Sequence, residues 1–192
     1  MEQKEVRVLL EQVAGGELDI DEAMLKLKEA PFEDLGFAKP DYHRALRQGI
    51  AEVIYGAGKT PEQIHDIVAS MIQQGQKSIL ITRMSSEAAE AVEQDFIIKY
   101  DKYSRIGLVG EIPEPDGIGK VVVAAAGTSD LPVAEEAAQT AECFGNEVIR
   151  LYDVGVAGLH RLLAHREEIM TARVIVAVAG MEGALASVIG GL

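Results

Sequence analysis

The residues from about Lys120 onward predict a parallel α/β domain, preceded by a smaller helical and α/β unit. Three observations carry this reading: short apolar runs alternate with segments of helical period, glycines follow the apolar runs, and cap residues open the helical segments.

The elements follow in order along the chain. Val6, Leu9, Leu10 and Val13 recur at helical spacing over residues 3–14, and Ile20, Ala23, Met24 and Leu27 do so over 19–29. Gly15-Gly16 stops the first segment and Asp19 is placed to cap the second, which predicts a helical hairpin. Pro31 to Pro40 punctuates the chain, and Asp41 to Gly49 leads into the apolar run Ile50–Tyr55, read as a strand that ends at Gly56-Ala57-Gly58-Lys59-Thr60. Thr60, Pro61 and Gln63 supply a cap, a first-turn proline and a third-position glutamine, so a helix is predicted over 61–74 with Ile64, Ile67, Val68, Met71 and Ile72 inward. Ser78–Thr82 reads as a buried strand, followed by a helix capped by Ser85 or Ser86 and running to about Ile98.

Glu111 to Gly119 is rich in turn formers and predicts a linker, giving domains at 1–115 and 120–192. Beyond it the pattern predicts a strand at Val121–Ala126, a helix at 131–144, a strand at Glu147–Leu151, a helix at 157–168, a strand at Val174–Ala179 and a helix from about Glu182.

Charge and composition narrow the function. Eighteen Lys and Arg stand against 31 Asp and Glu, and a net charge of −13 disfavours nucleic-acid backbones and anionic membranes as partners. No run reaches the roughly 18 apolar residues of a membrane helix, and Met1 to Glu5 does not open like a leader peptide, so the expectation is a cytoplasmic protein. The single cysteine, Cys143, excludes an intrachain disulfide and falls on the helix that buries Ala134, Ala137, Ala138 and Ala141, where it reads as inert packing. His160 and His165 are five apart and read as surface residues, so no metal site is expected. Gly58-Lys59-Thr60 ends like a phosphate-binding loop, but Val53 stands where that motif needs glycine.

In a parallel sheet, ligands bind outside the carboxyl ends of the strands, and three segments belong there. In Gly127-Thr128-Ser129-Asp130 the backbone amides and hydroxyls can cradle a phosphate or carboxylate, or the segment can be a capped strand-to-helix turn. In Tyr152 to Gly158, Asp153 can accept a hydroxyl or take a proton beside Gly155, or it can cap a helix. In Gly180-Met181-Glu182-Gly183, Glu182 beside Asp153 would have its proton affinity raised for acid–base work, or it can be a first-turn glutamate. Arg44, Arg47, Lys59 and Arg83 form a basic subset that can receive ligand phosphates between the two domains, or they can be ordinary surface charge.

Ala126 to Ala137 and Arg150 to Arg161, with Asp41 to Gly49, Glu52 to Gly56 and Ala179 to Leu185, closely resemble the LarB family of nickel-pincer cofactor biosynthesis synthases over nearly the whole chain. The C-terminal domain of that family is similar to PurE, the aminoimidazole ribonucleotide carboxylase, which implies a flavodoxin-like or Rossmann-like three-layer fold. Ser129 and Asp130 keep PurE's ribotide loop, but Tyr152 to Gly155 and Gly180 to Ser187 lack its two histidines and its phosphate-holding arginine. A proton-shuttling histidine cannot be replaced by an apolar residue, so the purine-pathway reaction is disfavoured.

The resemblance implies carboxylation of the pyridinium ring of nicotinic acid adenine dinucleotide by carbon dioxide or bicarbonate. It also implies phosphoanhydride hydrolysis, giving the pyridinium dicarboxylate mononucleotide and AMP. Gly127, Thr128, Ser129, Asp130, Tyr152, Gly155, Gly180 and Met181 would then bind substrate, with Asp153 and Glu182 as acid–base or ring-orienting groups. No tightly bound cofactor is implied, although magnesium could assist hydrolysis, and a homo-oligomer, an octamer in PurE-type proteins, is expected. The family's nucleophilic cysteine lies further along the domain than Leu192 and does not match Cys143, so the chain reads as a C-terminally incomplete version. A non-catalytic nucleotide-binding module is the other reading.

Overall fold

Local sequence signals set the first elements. A computed structural model describes residues 3–28 and 32–192. Helices α1 (Gln3–Ala14) and α2 (Ile20–Lys28) form the expected hairpin, with Leu9 and Ala23 buried between them. Gly16 turns the chain at a φ of 74°, and the Asp19 carboxylate accepts the Asp21 amide at 2.8 Å as a helix cap. The expected end of this second helix, at residue 29, and Pro31 lie outside the described residues.

The next unit pairs a βαβ crossover with a hairpin. Helix α3 (Arg44–Gln48) ends at Gly49 and is followed by strand β1 (Val53–Tyr55), helix α4 (Pro61–Gln73), strand β2 (Ser78–Thr82) and helix α5 (Ser86–Glu93). Strands β3 (Ile98–Asp101) and β4 (Ile106–Gly110) complete a sheet ordered β1-β2-β4-β3, in which only β1 and β2 run parallel. Thr60 and Gln63 make the capping box their spacing predicts. Two expectations need correction. The strand starts at Val53 rather than Ile50, because α3 and its glycine stop occupy residues up to 49 and Glu52 turns back to accept the Asp41 amide. The helix after Ser85 stops at Glu93 rather than near Ile98, because the chain must turn there to enter β3.

The core of this unit lies between the sheet and α4 and α5: Ile64, Val68, Met71, Ile79, Ile81, Met84 and Val92 are each 1% exposed or less.

After the irregular segment 111–119 come β5 (Lys120–Ala125), α6 (Leu131–Cys143), β6 (Glu147–Leu151), α7 (Leu159–Leu163), α8 (Arg166–Thr171), β7 (Val174–Val178) and α9 (Ala184–Gly190). All three strands are parallel in the order β6-β5-β7. Alternate residues of β5 face opposite layers: Val123 and Ala125 pack against Ala134 and Ala138 of α6, while Val122 and Ala124 pack with Leu162, Ile169 and Leu185 of α7, α8 and α9. The result is the parallel α/β arrangement that the alternating pattern predicts, in the three-layer, flavodoxin-like form that the resemblance implies. The single helix expected over 157–168 is instead a 3₁₀ turn, then α7, then α8, broken at Ala164-His165. Among the described residues no helix is long and apolar enough to cross a membrane.

Helix α6 joins the two units. Its Gln139 donates to Asp101 at 2.8 Å and its Glu136 pairs with Arg83 at 2.9 Å.

Candidate functional site

The central strand β5 has β6 on one side and β7 on the other, so the chain reverses its winding at β5 and opens a crevice outside the carboxyl ends. Three loops line that edge. Backbone hydrogen bonds tie them together: the Ala126 amide donates to Val178 at 2.9 Å, and the Val154 amide donates to Ala125 at 3.0 Å.

In the first loop, Gly127 is extended and Thr128–Asp130 make a 3₁₀ turn into α6. The Asp130 carboxylate accepts the Gly127 amide at 3.0 Å and the Gly180 amide at 3.1 Å, which fastens the β5 loop to the β7 loop. Asp130 is therefore a fastener of the crevice, with both carboxylate oxygens occupied. Thr128 and Ser129 are exposed, and their hydroxyls have no partner among the described residues, so they are the polar side chains this loop presents to a ligand. The Asp130 amide closes the turn on the Gly127 carbonyl at 3.0 Å, which leaves the Thr128 and Ser129 amides at its opening suited to an anion.

The second loop is pressed against the first. A Cβ on Gly155 would lie 2.6 Å from the Ala126 carbonyl oxygen, so only glycine permits this approach. Asp153 has a left-handed backbone (φ 57°), and its carboxylate is paired with the Arg161 guanidinium rather than with a second carboxylate. The carboxylate pair expected of Glu182 and Asp153 is thus not the contact Asp153 makes. Tyr152 points the other way: its hydroxyl donates to Glu135 of α6 at 2.7 Å, and burial, then that carboxylate, push the phenol well above its ordinary range. Glu135 also accepts Arg150, which forks onto Glu142 at 2.5 and 2.8 Å, so Tyr152 belongs to the clasp between β6 and α6.

In the third loop the Gly183 amide donates to the Gly180 carbonyl at 3.0 Å and closes a tight turn. Met181 sits at its tip, left-handed (φ 54°) and 100% exposed. Glu182 is exposed with no partner among the described residues. The structure thus groups Gly127, Thr128, Ser129, Asp130, Asp153, Gly155, Gly180, Met181 and Glu182 on one edge, and turns Tyr152 to the α6 face.

Sequence reasoning passed over Arg161, Arg150 and Glu135. Arg161 lies eight residues after Asp153, a separation with no fixed meaning until a 3₁₀ turn and a short helix fold it back.

The remaining candidates lie elsewhere. Cys143 is at the far end of α6, beside a cleft of about 670 Å³ at the amino edge of the sheet, lined in part by Glu52, Glu111, Glu114, Asp116 and Phe144. Burial, and then Glu142, push its thiol up to about 11, which leaves it protonated near neutral pH. Four carboxylates against the single Lys77 disfavour an anion in that cleft, whereas the carboxyl edge presents hydroxyls and amides. His160 lies on α7, whereas His165 precedes α8 and contacts Glu168 at 3.3 Å. Among the described residues no three His, Cys, Asp or Glu side chains come together as a metal site.

Residues 32–111 match the family described as the LarB/PurE-like N-terminal domain. An uncharacterized protein of Methanocaldococcus jannaschii is 36% identical over 195 residues, a match that takes in 97% of this chain and 76% of that protein.

Proposed function

Because this chain belongs to the LarB/PurE-like family, which is of carboxylase type, we propose that its carboxyl-edge crevice binds nicotinic acid adenine dinucleotide for carboxylation of the pyridinium ring and release of AMP. One observation carries the reading: Thr128 and Ser129 present free hydroxyls at the mouth of α6, in a loop that Asp130 fastens to the opposite wall. That arrangement suits a ribose phosphate, with the hydroxyls and first-turn amides on its oxygens.

The chemistry then divides into parts. A pyridinium ring is electron-poor, and a thiolate must add to it before a ring carbon can attack carbon dioxide; loss of the ring proton and of the thiolate restores aromaticity. Cys143 is unsuited to supply that thiolate, since it is protonated and lies at the wrong edge. The residues of this chain bind and orient: Ser129 and Thr128 hold phosphate, Asp153 and Glu182 flank the ring, and Met181 offers an apolar surface to it.

Calorimetric titration with the dinucleotide, and mass spectrometry of its mixture with labelled bicarbonate, test the proposal. Binding is expected, with Ser129→Ala weakening it about tenfold through loss of a hydrogen bond to a charged group. Failure of the dinucleotide to bind would overturn the reading. Because Cys143 is unsuited to supply the thiolate, the labelling arm includes an added thiol, and binding without a labelled product there would leave a nucleotide-binding module in its place.

A further inference from the structure

We propose that Arg83 is a phosphate-binding arm which the N-terminal unit extends toward the Gly127–Asp130 loop, and that Arg105 is the residue that positions it. The inference rests on reading the carboxyl-edge crevice as a nucleotide site, and its ligand class is a phosphoester or diphosphate held from both units.

Arg83 follows the carboxyl end of β2 and Arg105 closes the β3–β4 turn; both are left-handed, with φ of 54° and 61°. Glycine would occupy either position without strain, so an arginine at both calls for a reason in the side chains. The two are locked together. Arg105 donates through Nη2 to the Arg83 carbonyl at 3.1 Å and through Nε to the Met84 carbonyl at 3.2 Å, while the Met84 amide donates back to the Arg105 carbonyl at 2.9 Å. The Tyr100 hydroxyl adds a further bond to the Met84 carbonyl at 3.1 Å, and Met84 itself is fully buried. The backbone beneath Arg83 is thus fixed, and the freedom left is in its side chain.

That side chain reaches α6. It donates through Nε to Glu136, on the second turn of the helix that begins directly after Thr128–Asp130. Its Nη groups have no partner among the described residues, and the side chain is 47% exposed. A planar guanidinium with two free nitrogens matches two phosphate oxygens. Tyr55 and Lys59 stand at the neighbouring end of β1, with Lys59 Nζ 2.8 Å from the Tyr55 carbonyl. In a chain of net charge −13, Lys59, Arg83 and Arg105 thus place three cations at this end of the first sheet. An ion pair serving only to join the two units would gain little at such exposure, and it does not call for a left-handed arginine.

The test is calorimetric titration of the full chain with inorganic pyrophosphate, ADP and the dinucleotide, with thermal melting alongside. Arg83→Gly relieves the backbone and is expected to melt no lower than the parent by more than a few degrees, yet to bind pyrophosphate and ADP at least tenfold more weakly. Arg83→Lys keeps charge without the fork and should fall between. Glu136→Gln frees the guanidinium and should hold or raise affinity. The opposite responses of Arg83→Gly and Glu136→Gln identify an arm; equal losses from both would identify an inter-unit ion pair and overturn the proposal. If the dinucleotide binds and Arg83→Gly matches the parent within twofold, the arm falls while the proposed function stands. If the parent binds pyrophosphate in an Arg83-dependent way but not the dinucleotide, the arm stands while the proposed function falls. If the parent binds none of the three ligands, both are overturned.

Discussion

The two α/β units hold strained residues in contrasting ways. Each keeps two non-glycine residues in the left-handed region, Arg83 and Arg105 in the first and Asp153 and Met181 in the second. The first pair is tied down through backbone carbonyls around a buried methionine, whereas Asp153 is tethered by one surface ion pair and Met181 reaches solvent entirely. The strands that lead into these residues differ likewise, while the central strand β5 of the second sheet, with Val122 to Ala125 at 0% exposure, is as buried as β2. In the first, β2 lies between β1 and the antiparallel strand β4, and Ile79 and Ile81 are 0% exposed. In the second, β7 is an edge strand, with Val174 52% exposed and no residue of the strand fully buried. Left-handed residues of this kind cost on the order of 1–3 kcal/mol each and persist where their surroundings fix them. The first unit is therefore the rigid support, and the second carries the yielding face of the proposed site.

Glycine replacement should expose that difference most strongly. A Cβ on Gly110 would lie 2.0 Å from the Lys77 carbonyl oxygen, at a φ of 93°, so Gly110→Ala must displace β4 from β2. A loss of more than about 3 kcal/mol is expected in urea unfolding. Gly155→Ala has an ordinary φ of −61° and meets only the Ala126 carbonyl, which lies in a loop. About 2 kcal/mol is expected there, together with weakened dinucleotide binding, because the Gly127 loop must shift. Equal losses at the two sites would erase the contrast between support and ligand face.

Core truncation is the next test. Ile81→Ala, in the fully buried centre of the first sheet, should cost about 3–4 kcal/mol. Val176→Ala, on the half-buried edge strand β7, should cost about 1 kcal/mol. A Val176 loss as large as that at Ile81 would mean that the β7 edge is covered in solution.

The same contrast governs what could be read from the sequence. Local chemistry was legible: Thr60 and Gln63 announce their capping box, Ser78–Thr82 announces a buried strand, and the strand–helix alternation after Lys120 announces the parallel sheet. The β3–β4 hairpin was silent because its turn, Asp101 to Arg105, contains neither glycine nor proline, and an arginine takes the left-handed position where glycine would have signalled a turn. The break between α7 and α8 has no breaker residue either. In the candidate site, the loop positions followed from strand ends, but the roles did not. Asp130 fastens to Gly180, fifty residues away, Asp153 finds Arg161, and Tyr152 finds Glu135. Such partners are set by strand order, which no short spacing encodes.

The smallest expected effect concerns pH, and it again belongs to the first unit. His65 on α4 holds Asp95 at 2.9 Å and Asp66 at 3.2 Å, with its ring against Phe96 at 5.6 Å, so it clasps α4 to the turn after α5. Asp95, then Asp66, raise the imidazole above its ordinary value of 6.5. A group whose pKa is raised on folding binds its proton more tightly in the native state. Its stabilisation is therefore fully present below pH 6.5 and is lost as pH rises through the higher native value. Urea midpoints measured from pH 5.5 to 8.5 should decline across the upper part of that range, and Asp95→Asn should flatten the decline. An unchanged slope in Asp95→Asn would remove the His65 clasp, and with it the rigid support, as the source of the pH dependence.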